Sequence, residues 1–281
     1  MKYHKKNSNI SIVMITYNES HNLKRCLDNI CDWASQVFIV DSYSSDDTVK
    51  IAKEYGVYVH KRKFQNFGDQ WNFAVKSLPI KTKWTMKLDP DEILSTEVKK
   101  NIDDLTQKDL CEGIEINRRL WFMGKILPIN QKLLRVWKTG LCEFSKVSVN
   151  EYPIVSGRIL SVPGIVEHHD SPNLDHWINK QNLYTTLEAE RVFEKGQLAI
   201  PPKFFGSRIE RRMWLKKNFW RFPFRYLILF SYHYFILGAF KAGKEGLIWA
   251  RLRTEVYRIW EYKNFEMKKN GPYLSTKKTV K

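Results

Sequence analysis

Apolar runs that end in polar clusters alternate with helically spaced apolar positions over the first part of the chain. ISIVMITYNE, beginning at Ile10, is a strand pattern that closes on Thr16, Tyr17, Asn18 and Glu19. SHNLKRCLDNICDW sets Leu23, Leu27 and Ile30 at helical spacing. QVFIVDSYSSDDT is a second apolar run, ending in Asp41 and Ser42, and DDTVKIAKEYG is a helix closed by Gly56. VYVHKRK predicts a third strand, and FGDQWNFAVKSL a helix stopped by Pro79. KWTMKLDPDE predicts a fourth strand, followed by the helix STEVKKNIDDL with Ser95 as N-cap.

Strands that are apolar throughout, joined by helices, predict a parallel sheet covered on both faces. Ligands of such sheets bind beyond the carboxyl ends of the strands. Here those ends collect TYNE (16–19), DS (41–42) and DPDE (89–92), so several carboxylates share one edge. From Cys111 the pattern shifts to shorter strands and loops, which predicts a mixed sheet. From Leu174 it turns helical, with LDHWINKQNLYTTLEAERVFEKG as the first amphipathic helix. The expected division is 1–173 for an α/β domain and 174–281 for a helical extension, with a frayed Lys-rich tail after Glu266.

Composition narrows the class. The chain has 281 residues, is 43% hydrophobic and 14% aromatic, and so is a folded protein rather than a disordered one. Its four cysteines, Cys26, Cys31, Cys111 and Cys142, form no CxxC pair, which fits reduced core residues in a cytoplasmic protein. The basic N-terminus runs directly into a strand without the h-region of a signal peptide. The formal charge is +17, and from Arg191 onward 21 Lys+Arg stand against 6 Asp+Glu, a net of +15. That basic third carries NFWRFPFRYLILFSYHYFILGAF, which Pro223, Arg225, Ser231 and His233 make a buried or interfacial helix rather than a membrane span. Basic residues mixed with aromatic ones suit an anionic membrane surface or nucleic acid, and equally a solvated face over a helical core.

In an extended chain Asp89 and Asp91 face one side, with Pro90 stiffening the link. Two carboxylates at a strand end suit Mg²⁺ or Mn²⁺, which fills its remaining positions with water and phosphate oxygens. A solvated acidic turn is the plain alternative for an isolated DxD.

The blocks SIVMITYNESHNLKRCLDNI, VFIVDSYSSDDTVKIAKEYG, FQNFGDQWNFAVKSL and WTMKLDPDE, in this order and spacing, resemble the family 2 glycosyltransferases. Within that family they resemble the bacterial lipopolysaccharide-core and polysaccharide β-glucosyltransferases. Looser later blocks are LLRVWKTG, SVNEYP, WINKQNLYTTLEAER and GAFKAGKEGL. The resemblance implies a GT-A fold (a Rossmann-like, mostly parallel α/β sheet with helices on both faces) and a basic, aromatic-rich helical extension at the C-terminus. It implies an inverting, metal-dependent hexosyltransferase that uses a nucleoside-diphosphate sugar such as UDP-glucose.

Carried onto this sequence, the resemblance assigns Thr16, Tyr17, Asn18, Glu19 and Asp41 to the nucleoside, and Asp69, Gln70 and Asn72 to fixing the donor. It assigns Asp91 to the metal, Asp89 to the ribose or metal, and His168 or His169 to the metal or diphosphate. Lys132 and Arg135 are candidates to neutralise phosphate, with a surface basic strand as the plain reading of both. The proton acceptor maps to Glu151, where the family often reads His-Glu and this chain has Asn150-Glu151; Glu143 and Asp170 are in reserve. Acceptors implied are glycans or lipid-linked glycans at the inner face of the cytoplasmic membrane, with membrane association or homo-oligomerisation for the basic helices and no nucleic acid. Rival readings are a nucleotidyltransferase, which ordinarily needs a glycine-rich first loop that TYNESHN lacks, a non-catalytic basic binding module, and a GT-A fold without activity.

Overall fold

The computed structural model describes residues 8–145, 151–194, 198 and 200–273. The alternation read from the sequence is present: β1 (Ile10–Thr16), α1 (Ser20–Ile30), β2 (Gln36–Asp41), α2 (Thr48–Glu54), β3 (Tyr58–Lys61), α3 (Phe67–Ser77), β4 (Trp84–Lys87), β5 (Glu92–Leu94) and α4 (Thr96–Lys108). Ser95 caps α4, its Oγ accepting from the Val98 N–H at 3.2 Å. A long hairpin follows, β6 (Gly113–Phe122) and β7 (Lys125–Lys138), then the short β8 (Cys142–Phe144) and β9 (Pro153–Val155), and β10 (Ile159–His169).

One eight-stranded sheet runs in the order β3-β2-β1-β4-β7-β6-β10-β5, and β8 and β9 pair separately. The β3-β2-β1-β4 half is parallel. β7 then lies antiparallel to both β4 and β6, β10 parallel to β6, and β5 antiparallel to β10. The architecture is therefore mixed α/β, parallel where crossover helices join the strands and mixed where the hairpin enters. Alternate residues of β1 serve the two faces: Ile10, Ile12 and Met14 pack with Leu23, Leu27, Val98 and Ile102, whereas Val13 packs with Trp71, Ala74 and Phe144. Helices accordingly cover both sides.

The DPDE segment is not extended. Its backbone turns between β4 and β5, with the Glu92 N–H donating to the Asp89 carbonyl at 3.0 Å. Pro90 takes the second position of this four-residue turn, where its fixed φ is favoured. Asp89 and Asp91 consequently point to different partners, in contrast to the same-side arrangement of a straight strand.

The C-terminal helices are α5 (Leu174–Phe193), α6 (Arg208–Asn218), α7 (Arg225–Ser231) and α8 (Gly243–Asn270), with 3-10 turns at Phe219–Arg221 and Ala239–Ala242 and a π turn at Tyr232–Ile236. α5 and α8 are packed onto the sheet: Trp177 of α5 and Trp249 and Ala250 of α8 share a core with Phe122, Leu127 and Ile129 of the hairpin. Gly246 lets α8 approach the 3-10 turn at Ala239–Ala242, since a Cβ there would lie 1.8 Å from the Ala239 carbonyl oxygen. Lys263 of α8 donates to the Asn182 carbonyl at 2.7 Å and to the Thr186 hydroxyl at 2.6 Å, fixing α8 against α5. α8 stays helical past Glu266; the tail expected to fray lies, from residue 274, outside the described residues. Among the described residues no helix is long and apolar enough to cross a membrane.

Candidate active site

The carboxyl ends of β1 and β2 meet in register, with Thr16 opposite Asp41. Thr16 Oγ1 donates to Asp41 Oδ2 at 2.8 Å, and the Ser44 N–H and hydroxyl donate to Oδ1 and Oδ2 at 2.9 and 2.6 Å. A fully buried carboxylate thus receives three donors, which is what retains it there. Asn18, in the left-handed region at φ 53°, donates its N–H to Ser44 Oγ at 2.9 Å and accepts from the Ser45 N–H at 2.9 Å. The Glu19 N–H donates to Thr48 Oγ1 at 2.8 Å. The two loops are stitched into one rim, from which Tyr17 projects half exposed.

On the rim's other side Arg62 donates to Asp69 at 2.5 Å and to Gln70 Oε1 at 2.6 Å, and Gln70 Nε2 donates to Ser42 Oγ at 3.1 Å. Asp69 and Gln70 are therefore tied to the loop after β2. Asn72 is not: its amide clamps the Phe144 backbone, accepting from the N–H and donating to the carbonyl at 2.8 Å each.

The two aspartates of the turn lead into different networks. Asp89 accepts from Arg135 at 2.9 Å, and Arg135 also binds the fully buried Glu92. Burial alone would raise the Asp89 carboxyl; Arg135 and Lys87 outweigh it and hold it low. Asp91 faces β10 and α5. His168 Nε2 stands 3.2 Å from Asp91 Oδ2, Lys180 Nζ 3.5 Å from the same oxygen, and Lys180 Nζ 2.8 Å from Asp170 Oδ1. Burial pushes Asp91 up, but His168 and Lys180 hold it far below the usual carboxylate range. Glu19 goes the other way, raised to about 7 by burial and by the charge on Asp91. The Tyr184 phenol, close to the same charges, is pushed well up by burial.

Asp91, His168 and Asp170 offer ligand atoms that all lie within 4.8 Å of one another. Asp91 Oδ1 and His168 Nδ1 are buried with no hydrogen-bond partner among the described residues. Two carboxylates, an imidazole and an orphaned carboxylate oxygen fit Mg²⁺ or Mn²⁺, which complete their shell with water or phosphate oxygens.

Among the remaining sequence-predicted residues, Glu151 accepts from Lys87 at 2.7 Å, both side chains nearly buried, and Lys87 in turn lies 4.2 Å over the Trp71 ring. Asn150 lies outside the described residues. His169 does not join the group; it stacks on Trp121 at 5.0 Å. Lys132 lies along the hairpin, 4.0 Å from Glu115, and Glu143 pairs at the surface with Lys76 at 2.9 Å. Lys180 and Tyr184, like Ser44, Arg62 and Lys87, were not singled out from sequence. Lys180 and Tyr184 sit in WINKQNLY, a segment that resembles the family without suggesting a role.

Comparison with known proteins places this site in context. Residues 11–111 match the family model described as "Glycosyl transferase family 2". A glycosyltransferase of Rickettsia typhi is 27% identical over 263 residues, covering 87% of this chain and 84% of the relative. The lipopolysaccharide core biosynthesis glycosyltransferase LpsC of Rhizobium meliloti is 23% identical over 231 residues, covering 75% and 83%. Among solved structures, S. aureus TarS 1-349 in complex with UDP-GlcNAc aligns over 94% of this chain and 93% of that one, at 15% identity and a TM-score of 0.46. The matched segment holds β1 through α4, with Thr16, Asp41, Asp89 and Asp91 on it. This chain carries a glycosyl transferase family 2 domain over residues 11–111 and is similar over most of its length to a bacterial glycosyltransferase.

Proposed function

We propose that the protein transfers a hexose from a nucleoside-diphosphate sugar, a UDP-sugar such as UDP-glucose, to a glycan or lipid-linked acceptor, with inversion at the sugar carbon. The observation that carries this reading is the convergence of Asp91, His168 and Asp170 at the turn after β4, beside the loops that follow β1 and β2. The family match supports the donor class, and the similarity to LpsC, a lipopolysaccharide core biosynthesis glycosyltransferase, supports a cell-surface glycan acceptor.

In this reading Thr16, Tyr17, Asn18, Glu19 and Asp41 form the nucleoside end of the site. Asp41 has its oxygens engaged by Thr16 and Ser44, so it acts by holding the rim in shape. Asp69 and Gln70 brace the same rim through Arg62 and Ser42. Arg135 is charge-paired behind Asp89 and orients that carboxylate toward the donor. Asp91, with His168 and Asp170, would hold Mg²⁺ or Mn²⁺, which when bound supplies positive charge at the diphosphate leaving group. Lys180 places a fixed ammonium among these acids, within reach of a phosphate oxygen.

Glu151 takes the proton of the acceptor hydroxyl. Its partner Lys87 fixes the carboxylate in place. Residues 1–173 thus supply donor binding and catalysis. Residues 174–281 position Lys180 and Tyr184 through α5 and serve the acceptor side. A nucleotidyltransferase is disfavoured because the loop after β1 has no glycine for close approach of a triphosphate.

A panel of nucleotide sugars, each tested for hydrolysis and thermal stabilisation with and without Mn²⁺, tests the proposal. One UDP-sugar is expected to stabilise the protein and to be hydrolysed slowly in a metal-dependent way. Failure of every nucleotide sugar would overturn it.

A further inference from the structure

The segment from Phe222 to Phe240 is apolar on two opposite faces, and only one of them is used. Through α7 and the π turn, Phe230, Tyr234 and Leu237 pack against the core built on Phe122, Trp177 and Trp249. Phe224, Leu227, Ile228, Tyr232, Phe235 and Ile236 form the other face, at helical spacing, and all are exposed. Phe224 is 79% exposed and Ile236 75%. A helix that is apolar all round is ordinarily buried all round. A contiguous exposed face of this kind marks an interaction surface.

We propose that this face docks into the interfacial region of an anionic lipid bilayer. Charge selects the occupant. The chain from Arg191 onward carries a net +15. Arg221 and Lys241 bound the apolar segment, both exposed, and neither has a salt bridge among the described residues. Cations at the rim of an apolar face meet lipid phosphates while the aromatic and aliphatic groups enter the acyl boundary. A second copy of the chain fits poorly, because pairing two such faces opposes two strongly positive surfaces. Nucleic acid fits poorly too: Leu227, Ile228 and Ile236 interrupt the aromatic residues of this face and offer no phosphate contact. No described helix is long and apolar enough to span a membrane, so the segment lies in the interface plane.

The inference does not depend on the donor reading and is measured without nucleotide. The full chain is co-sedimented with phosphatidylcholine vesicles and with vesicles that also contain phosphatidylglycerol, alongside the double variant Leu227→Glu/Ile236→Glu. Thermal melting checks the variant's fold, sedimentation velocity reports its size, and a duplex-DNA arm is run at the same salt.

The expected result is binding to the phosphatidylglycerol vesicles, weak binding to phosphatidylcholine alone, and a loss of at least about tenfold in the double variant, which melts like the wild type. Absence of anionic-vesicle binding would overturn the proposal, as would a variant that binds undiminished. So would a wild-type dimer that the variant converts to monomer without vesicle binding, or DNA binding that the variant loses in place of lipid binding.

Discussion

Lys180 Nζ lies 2.8 Å from Asp170 Oδ1, and reaches across to within 3.5 Å of Asp91. A helix from the C-terminal region therefore supplies the cation that balances two acids carried by the sheet. Its ammonium is held well above the ordinary lysine range: burial opposes its charge, but Asp91 and Asp170 outweigh the burial.

Replacing that lysine separates its structural role from a ligand's. Lys180→Met removes the ammonium that pairs with both acids and leaves Asp91 and Asp170 with only His168 between them. Removing one partner of a buried pair is strongly destabilising, and we expect a loss of about 2–3 kcal/mol in metal-free protein. Mn²⁺ restores more of the melting temperature in this variant than it adds to the wild type. Melting curves with and without Mn²⁺ read both effects; a variant that melts like the wild type and gains no more from Mn²⁺ contradicts the assignment.

Glu151→Gln keeps the side-chain volume and the hydrogen bond from Lys87 but removes the proton acceptor. Transfer to the acceptor falls by about 10²–10⁴-fold, while UDP-sugar affinity stays within a few-fold. Single-turnover transfer measured alongside equilibrium donor binding checks the split. Undiminished transfer would assign the base elsewhere.

His233 gives the fold an acid-sensitive point away from the active site. It is buried against Trp249, its ring centroid 5.3 Å away, and burial together with Arg253 pushes the imidazole down to about 3. The unfolded chain takes up this proton near pH 6.5, and the folded chain only near 3. Stability from this group is therefore complete above pH 6.5 and is lost as pH falls toward 3. The effect amounts to roughly 5 kcal/mol over the full window. His233→Gln flattens the corresponding slope in melting temperature between pH 6.5 and 4.5, measured by calorimetry.

Much of the sheet was legible in the chain. The runs ending at Thr16 and Asp41 are β1 and β2, and Leu23, Leu27 and Ile30 are buried on α1. These are local signals: continuous apolar strands and one-sided helices. The DPDE turn was not legible as a turn, because a run of apolar residues leading into Asp89 has a strand's periodicity. Only the Asp89–Glu92 hydrogen bond and the partners of each carboxylate distinguish the two conformations.

His168 was separable from His169 only by the β-strand alternation of β10, which turns one ring to Asp91 and the other to Trp121. Lys180 escaped because a lysine on an amphipathic helix carries no sign of its partner. Its meaning is set by how α5 docks against the sheet. Asn72, matched by family spacing, clamps the β8 backbone, a contact that sequence spacing cannot reveal.

The central claim is that a divalent cation on Asp91 joins the protein to a diphosphate. Calorimetry of UDP binding to the wild type and to Asp91→Asn, each with and without Mn²⁺, tests it most directly. The account predicts Mn²⁺-dependent uptake by the wild type that weakens by about 100-fold or more in Asp91→Asn. Equal UDP affinity with and without Mn²⁺, or unchanged metal-dependent uptake by Asp91→Asn, would contradict it.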